Sequence, residues 1–178
     1  MFSEFNSKTL NQQQKLKNKD IKQVIQSLES QNPDKKDLFA ELATSTVFQF
    51  KTPNRFIFIA DNSQLKYFSY YNSQYAPMLR QLHKFPSLLK YVYNDGGSCR
   101  ALLNGAQLMA PGIHKIDETL KVGDICALRV SEDAEALAIC KLLQDPVEIM
   151  KPNRAGQATE TLFILGDGLY EHGDKVKC

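Results

Sequence analysis

The chain has 178 residues, 43% hydrophobic and 24% charged, with a formal net charge of +2 at pH 7. This composition is ordinary for a soluble globular protein of one large or two small domains, burying about 70% of its unfolded surface. No apolar run approaches the ~20 residues needed to cross a bilayer, and the stretch from Met1 to Asp20 is polar and lysine-bearing, so no secretory leader and a cytoplasmic location are expected.

Ile21, Val24, Ile25 and Leu28 fall at i, i+3, i+4 and i+7, which predicts a helix with one apolar face. Lys15, Lys17, Lys19 and Lys22 flank that stripe and stay solvated. Asn32-Pro33 ends the helix, because the residue before proline disfavours the α region. A shorter helix is expected next, with Leu38, Phe39 and Leu42 inward. Val47 to Phe50, Phe56 to Ala60 and Leu65 to Tyr71 are rich in aromatic and β-branched residues, as strands are. Thr52-Pro53-Asn54 and Asp61-Asn62-Ser63 supply turns. Pro77 and Pro86 are each placed to open a helix, with Leu79, Leu82 and Leu89 facing the core. These elements predict an α+β domain over residues 1–91. Its strands are crowded with Phe and Tyr on both faces, more apolar surface than a small sheet can bury alone, so a protein-binding face is one expectation.

From Val92 the pattern changes to short strands, expected over Cys99 to Leu103, Ile125 to Val130, Ala136 to Leu142 and Thr161 to Leu165. Ser131 to Glu135 reads as a charged hairpin tip, and Lys151 to Ala158 as a basic, flexible connection. Several strands at this spacing with little helix suggest a small β-barrel over residues 92–178. The two halves differ in charge. Residues 1–91 carry 13 Lys/Arg against 7 Asp/Glu, whereas residues 92–178 carry 9 against 13. That asymmetry suggests different partners for the two domains.

The four cysteines, Cys99, Cys126, Cys140 and Cys178, form no Cys-x-x-Cys pair, and no histidine stands at zinc-ligand spacing. Cys126 and Cys140 lie in apolar runs, where a reduced cysteine acts as a small hydrophobe. His83 reads as a packing residue, and His114 as a residue that stacks on a base or faces water. Gly96-Gly97-Ser98-Cys99 is read as two glycines opening a barrel strand. There is no Gly-x-Ser-x-Gly elbow and no phosphate loop of the Gly-x-x-x-x-Gly-Lys type. A non-enzyme without metal or cofactor is expected.

The segment Leu102 to Gly112 reads as a strand, a turn sharpened by Gly105, one short helical turn and a Pro-Gly stop. Such a turn can present bare N–H groups to a phosphate, although spacing alone favours an ordinary strand-to-helix connection. The residues say more. Gly105-Ala106-x-x-Met109-x-Pro111-Gly112-Ile113 resembles the signature of the PUA domain, an RNA-binding fold, and Lys121-Val122-Gly123-Asp124 with its following strand resembles that domain's Gly-Asp element. Together with Met1-Phe2, the block Pro77 to Pro86 and Gly166-Asp167-Gly168-Leu169-Tyr170, nearly the whole chain resembles the malignant-T-cell-amplified-sequence and translation-machinery-associated PUA family.

The resemblance implies a non-catalytic translation factor: an amino-terminal domain for partner and ribosome binding, then a PUA-like RNA-binding barrel. Proteins of this family pair with density-regulated protein, bind the small ribosomal subunit, and promote reinitiation and release of deacylated tRNA after termination. Ribosomal RNA or tRNA is the implied nucleic acid. The candidate RNA-binding residues are Arg100, Asn104, Gly105, Ala106, Gln107, Met109, Pro111, Gly112, His114 and Lys115. Lys15, Lys17, Lys19 and Lys84 are candidate electrostatic contacts to the ribosome. Two other readings stay open, an RNA-binding accessory factor for RNA modification and a PUA-like interaction module without RNA binding.

Overall fold

The computed structural model describes residues 10, 13–173 and 176. Met1-Phe2 and Cys178 lie outside them. Two five-stranded sheets organise the described residues. The first has the order β1-β2-β3-β4-β5, built from β1 (Gln13–Lys15), β2 (Val47–Lys51), β3 (Phe56–Asp61), β4 (Gln64–Tyr70) and β5 (Ala76–Pro77), all antiparallel. Helix α1 (Asn18–Gln31) buries Ile21, Val24 and Leu28, the expected stripe, and α2 (Lys36–Ala40) buries Phe39. Leu42 follows in a short 3₁₀ turn and is also buried.

Cross-strand register sorts the aromatics. Phe50 pairs with Phe58, Phe58 with Phe68 and Phe56 with Tyr70, which sets them on one face. Ile59 pairs with Tyr67 on the other, where Phe39 of α2 meets the Tyr67 ring edge-on at 6.1 Å. Burial raises the Tyr67 hydroxyl to a pKa of about 12.

Helix α3 (Leu79–Lys84) starts two residues after Pro77, because Pro77 is spent in β5, paired with Tyr67. Pro86 opens a 3₁₀ turn, Pro86–Leu88, in which Leu88 is buried, whereas Leu89 is only half-buried.

The second sheet has the order β10-β9-β8-β6-β7. It comprises β6 (Tyr91–Asn94), β7 (Ile113–Ile116), β8 (Ile125–Arg129), β9 (Ala138–Leu142) and β10 (Thr159–Ile164); the β6–β8 pairing is parallel and the other three are antiparallel. Val92, Leu102, Leu108, Ile113, Cys126, Leu128, Cys140 and Leu142 are among the residues that fill the barrel. Cys126 and Cys140 are fully buried, and burial raises both thiols, Cys140 to about 11. Cys99 to Leu103 is a correction: it forms helix α4, not a strand. Gly96–Ser98 is a 3₁₀ turn leading into it, capped by the Asp95 carboxylate, which accepts the Ser98 N–H at 3.1 Å. A further short helix, α5 (Pro146–Ile149), precedes the 151–158 segment, which Gln144 ties down by donating to the carbonyls of Ala155 and Gln157 at 3.1 Å.

The face of the first sheet that carries Phe56, Phe58 and Phe68 is covered by the chain's own barrel. In β10 the register shifts between Thr161 and Phe163. Thr161 pairs with Cys140 and faces the barrel interior; the bulge lets Phe163 pair with Ile139 and point the other way. Its ring lies 5.4, 6.1 and 4.6 Å from those of Phe56, Phe58 and Phe68. Helix α6 (Gly168–His172) completes this seam: Leu169 joins the same apolar cluster, and the Gly173 carbonyl accepts the Leu65 N–H at 2.7 Å. His83 bridges the halves as a packing residue, its Nε2–H donating to the Ala136 carbonyl at 2.8 Å.

Candidate nucleic-acid interface

Helix α4 ends in a Schellman arrangement. The Gly105 N–H donates to the Leu102 carbonyl at 2.8 Å and the Ala106 N–H to the Ala101 carbonyl at 3.0 Å, with Gly105 at φ +89°. Gly105 and Ala106 therefore stand at the carbonyl end of a helix. The expected order, turn first and amides of a helix after it, is reversed, so this turn offers no row of unpaired helix amides. Arg100 and Asn104 are exposed on α4 and its cap. Gln107 turns inward, and its Oε1 accepts the Thr161 N–H at 2.8 Å, tying the loop to β10.

Beyond Gln107 the backbone is held on both sides. The Leu108 carbonyl accepts the Ala158 N–H at 2.9 Å, Met109 bridges Gln157, and the Ala110 N–H donates to the Gly156 carbonyl at 2.9 Å. Met109 nevertheless leaves 48% of its surface exposed. Pro111 and Gly112 form a 3₁₀ turn whose Gly112 carbonyl accepts the Asp95 N–H at 2.9 Å. Arg154 clamps the start of β7, donating to the carbonyls of Ile113 at 2.8 Å and Pro111 at 3.5 Å.

Strand β7 buries Ile113 and Ile116 and exposes His114 and Lys115. Lys115 pairs with Tyr93 across the ladder and its ammonium lies 5.2 Å from that ring. His114 lies 6.2 Å from the same ring. Tyr93 neighbours Tyr91 at 6.1 Å, and the Arg129 guanidinium covers Tyr91 at 3.6 Å while donating to its hydroxyl at 2.7 Å. Burial raises the Tyr91 hydroxyl above its ordinary value, against the pull of Arg129. The outward side of β6 and β7 is thus a strip of aromatic rings and cations, suited to stacking bases and holding phosphates. One cation is compensated: Lys115 is hydrogen-bonded to Glu132, which raises the ammonium and lowers the carboxyl.

The candidate residues do not form one patch of equal character. His114, Lys115, Pro111, Gly112 and Met109 follow one another along the loop and β7, whereas Gln107 is a strut and Gly105 a helix stop. Tyr91, Tyr93, Arg129 and Arg154 were missed. The alternation Tyr-Val-Tyr at 91–93, with Val92 buried, was the available signal for the first two. Lys15, Lys17 and Lys19 are exposed around β1 and the start of α1. Lys84 lines a separate cleft of about 370 Å³ at the junction, with Lys66, Arg80, His83, Glu135 and Tyr170. Among the described residues no group of three or more His, Cys, Asp or Glu could hold a metal ion, and no helix is long and apolar enough to cross a membrane.

Family models for a Pre-PUA-like domain and a PUA domain match residues 5–86 and 90–165. The chain is 28% identical over 166 residues to the malignant T-cell-amplified sequence 1 homolog of Dictyostelium discoideum, covering 86% of this chain and 90% of that protein. It is 26% identical over 178 residues to translation machinery-associated protein 20 of Saccharomyces cerevisiae, covering 96% and 97%. A hypothetical protein from Pyrococcus horikoshii has a similar structure, with a TM-score of 0.72 at 22% identity, covering 90% of this chain and 98% of that one. A conserved PUA domain protein from Thermoplasma acidophilum gives 0.65 at 19%, with coverage of 90% and 98%. These structures establish the shared fold. By sequence and by domain order, the chain belongs to the Pre-PUA and PUA family that includes malignant T-cell-amplified sequence 1 and translation machinery-associated protein 20.

Proposed function

We propose that this chain is a cytoplasmic, non-catalytic translation factor that binds RNA on the small ribosomal subunit. The observation that carries the reading is the aromatic and cationic strip on a PUA barrel, in which His114 and Lys115 are exposed and Tyr91, Tyr93 and Arg129 are half-buried beside them. Rings and guanidinium groups of this kind stack on unpaired bases and contact phosphates. The names of the relatives support an association with the translation machinery. By family resemblance, a density-regulated-protein homologue is the partner, and the pair supports reinitiation and post-termination tRNA release. Residues 1–91 then serve partner and ribosome binding, and residues 92–178 bind RNA.

Sedimentation of the purified chain with isolated small and large ribosomal subunits tests the reading. Saturable co-sedimentation with the small subunit is expected, reduced by Tyr93→Ala. A second reading, an interaction module without RNA binding, draws on the ion pairs Lys115–Glu132 and Lys151–Glu148, which already compensate two barrel cations. Crosslinking to isolated RNA separates the two.

A further inference from the structure

Away from the barrel strip, two hairpin ends of the first sheet come together at Arg55 and Tyr71. The Arg55 guanidinium lies 4.9 Å from the centroid of the Tyr71 ring, and the Tyr71 N–H donates to the Arg55 carbonyl at 3.0 Å. Tyr71 is 55% exposed, yet its ring is propped edge-on against Tyr70 at 4.6 Å. Tyr70 in turn stacks on Phe56 at 4.4 Å and donates its hydroxyl to Glu160 at 2.9 Å. An exposed aromatic is thus held rigidly from below by the domain junction.

The backbone at both residues is unusual. Arg55 has φ +62°, and Tyr71 and Asn72 have φ +53° and +55°. Tyr71 and Asn72 are the central pair of a turn closed by the Ser73 N–H donating to the Tyr70 carbonyl at 3.1 Å. Two successive residues at positive φ suit Asn, Asp or Gly; the turn between β3 and β4 obeys this in part, with Asn62 and Ser63. A tyrosine in the left-handed region is disfavoured, and such strain gathers where a side chain must be presented. Beside the ring is an open groove of about 320 Å³, lined by Lys51, Thr52, Ile57 and Asn72 together with Arg55 and Tyr71. Lys141 stands over Tyr70 at 5.8 Å. Two cations, Lys51 and Arg55, therefore line the groove, while Lys141 is paired across the β9–β10 ladder with Glu160, whose carboxylate is engaged by Tyr70.

The geometry points to a second nucleic-acid contact, a stacking platform for one base of single-stranded RNA on Tyr71, with Lys51 and Arg55 holding the adjacent phosphates. The ring is flat, exposed and pre-positioned, and every base has a face to stack on it. Cations at the rim match a polyanion. The platform lies on the first domain and does not depend on the barrel strip.

The test uses the full chain and an eight-residue oligouridylate. The chain has no tryptophan, so Tyr71→Trp places a single reporter on the platform. Its emission is expected to be quenched saturably by the RNA, also in a Tyr93→Ala background. Tyr71→Asn keeps a residue suited to the turn and removes the ring; the dissociation constant should rise by about 5- to 100-fold, the range for removing one stacked base. Tyr71→Phe should bind as the parent does. Replacing Lys51 and Arg55 by Gln should flatten the slope of log K against log salt by about 0.7 for each phosphate that is no longer neutralised. Unquenched tryptophan at RNA saturation, an unchanged constant for Tyr71→Asn, or no binding of the oligonucleotide overturns the proposal, and the first of these reads the site even if Tyr71→Asn melts without cooperativity. Unchanged RNA binding would leave Tyr71 to a protein contact.

Discussion

Phe163 of the barrel meets Phe68 of the first sheet edge to face, with ring centroids 4.6 Å apart and planes at 81°. Through this pair and the packing of Phe163 on Phe56 and Phe58, one apolar cluster runs across both sheets. Ala127, Ile139, Leu162 and Leu169 belong to it although they lie in the second half of the sequence. The two family domains therefore share a core rather than being joined only by the 86–90 connection.

The first consequence is for stability. Phe163→Ala should destabilise the chain by about 3 to 5 kcal/mol, the usual range for emptying a buried aromatic site. Thermal and urea melts followed by two probes should remain a single transition in the parent. A Phe163→Ala protein with wild-type stability, or a parent that melts in two separate steps, would show that the domains are energetically independent.

Gly105 yields a second expectation. At φ +89° with open space around it, an added Cβ meets no neighbour, so the penalty is conformational. Gly105→Ala should cost about 1 kcal/mol and leave RNA affinity unchanged, since the glycine stops a helix and its amide is already bonded to Leu102. Abolished RNA binding with an unaltered melt would return this turn to the RNA-facing surface.

A third expectation concerns pH. Burial raises the Asp167 carboxyl above its ordinary value, although its Oδ1 accepts the Tyr170 N–H at 2.7 Å and its Oδ2 the Ile164 N–H at 3.2 Å. A folded-state pKa above the unfolded one means the native protein binds the proton more tightly. The contribution is fully present below the ordinary carboxylate pKa and disappears as pH rises through the raised value. Asp167→Asn keeps an oxygen acceptor for the Tyr170 N–H but sets an amide NH2 against the Ile164 N–H, so it should remove this pH dependence and cost about 1 to 3 kcal/mol at pH 7. Asp167→Ala also removes the cap and should cost about 0.5 to 2 kcal/mol. Melting temperatures of the three proteins across acid to neutral pH check this; an Asp167→Asn curve parallel to the parent's would contradict it.

Much of the first domain was legible because its signals are local. The stripe Ile21, Val24 and Leu28 and the strands through Phe56 to Tyr70 follow directly from period and residue type. Cys99 to Leu103 misled because Cys-Arg-Ala-Leu-Leu has no period-2 alternation to mark a strand, and Ala, Leu and Arg are good helix formers. The aromatic surplus of the first sheet was legible as a surface needing cover. What covers it was not, because a β-bulge more than 90 residues downstream of Phe68 aims Phe163, and register shifts leave no local pattern. For the candidate site, the family motif marked Gly105 to Ile113, with His114 and Lys115 directly after it, while Tyr91, Tyr93 and Arg129 converge only through the parallel β6–β8 pairing.

The most direct measurement is equilibrium binding of the full chain to purified small ribosomal subunits, titrated from low to moderate salt. Saturable binding is expected, with log K falling as log salt rises. Reversing Lys15, Lys17 and Lys19 to Glu should flatten that slope by about 0.7 to 0.9 for each phosphate that is no longer neutralised. Reversing Lys115, already compensated by Glu132, should flatten it less, whereas Tyr93→Ala should weaken binding by about 5- to 100-fold with little change in slope, as removal of a stacking partner does. No saturable binding, or binding indifferent to all of these variants, would contradict an RNA-contacting role for this protein on the small subunit.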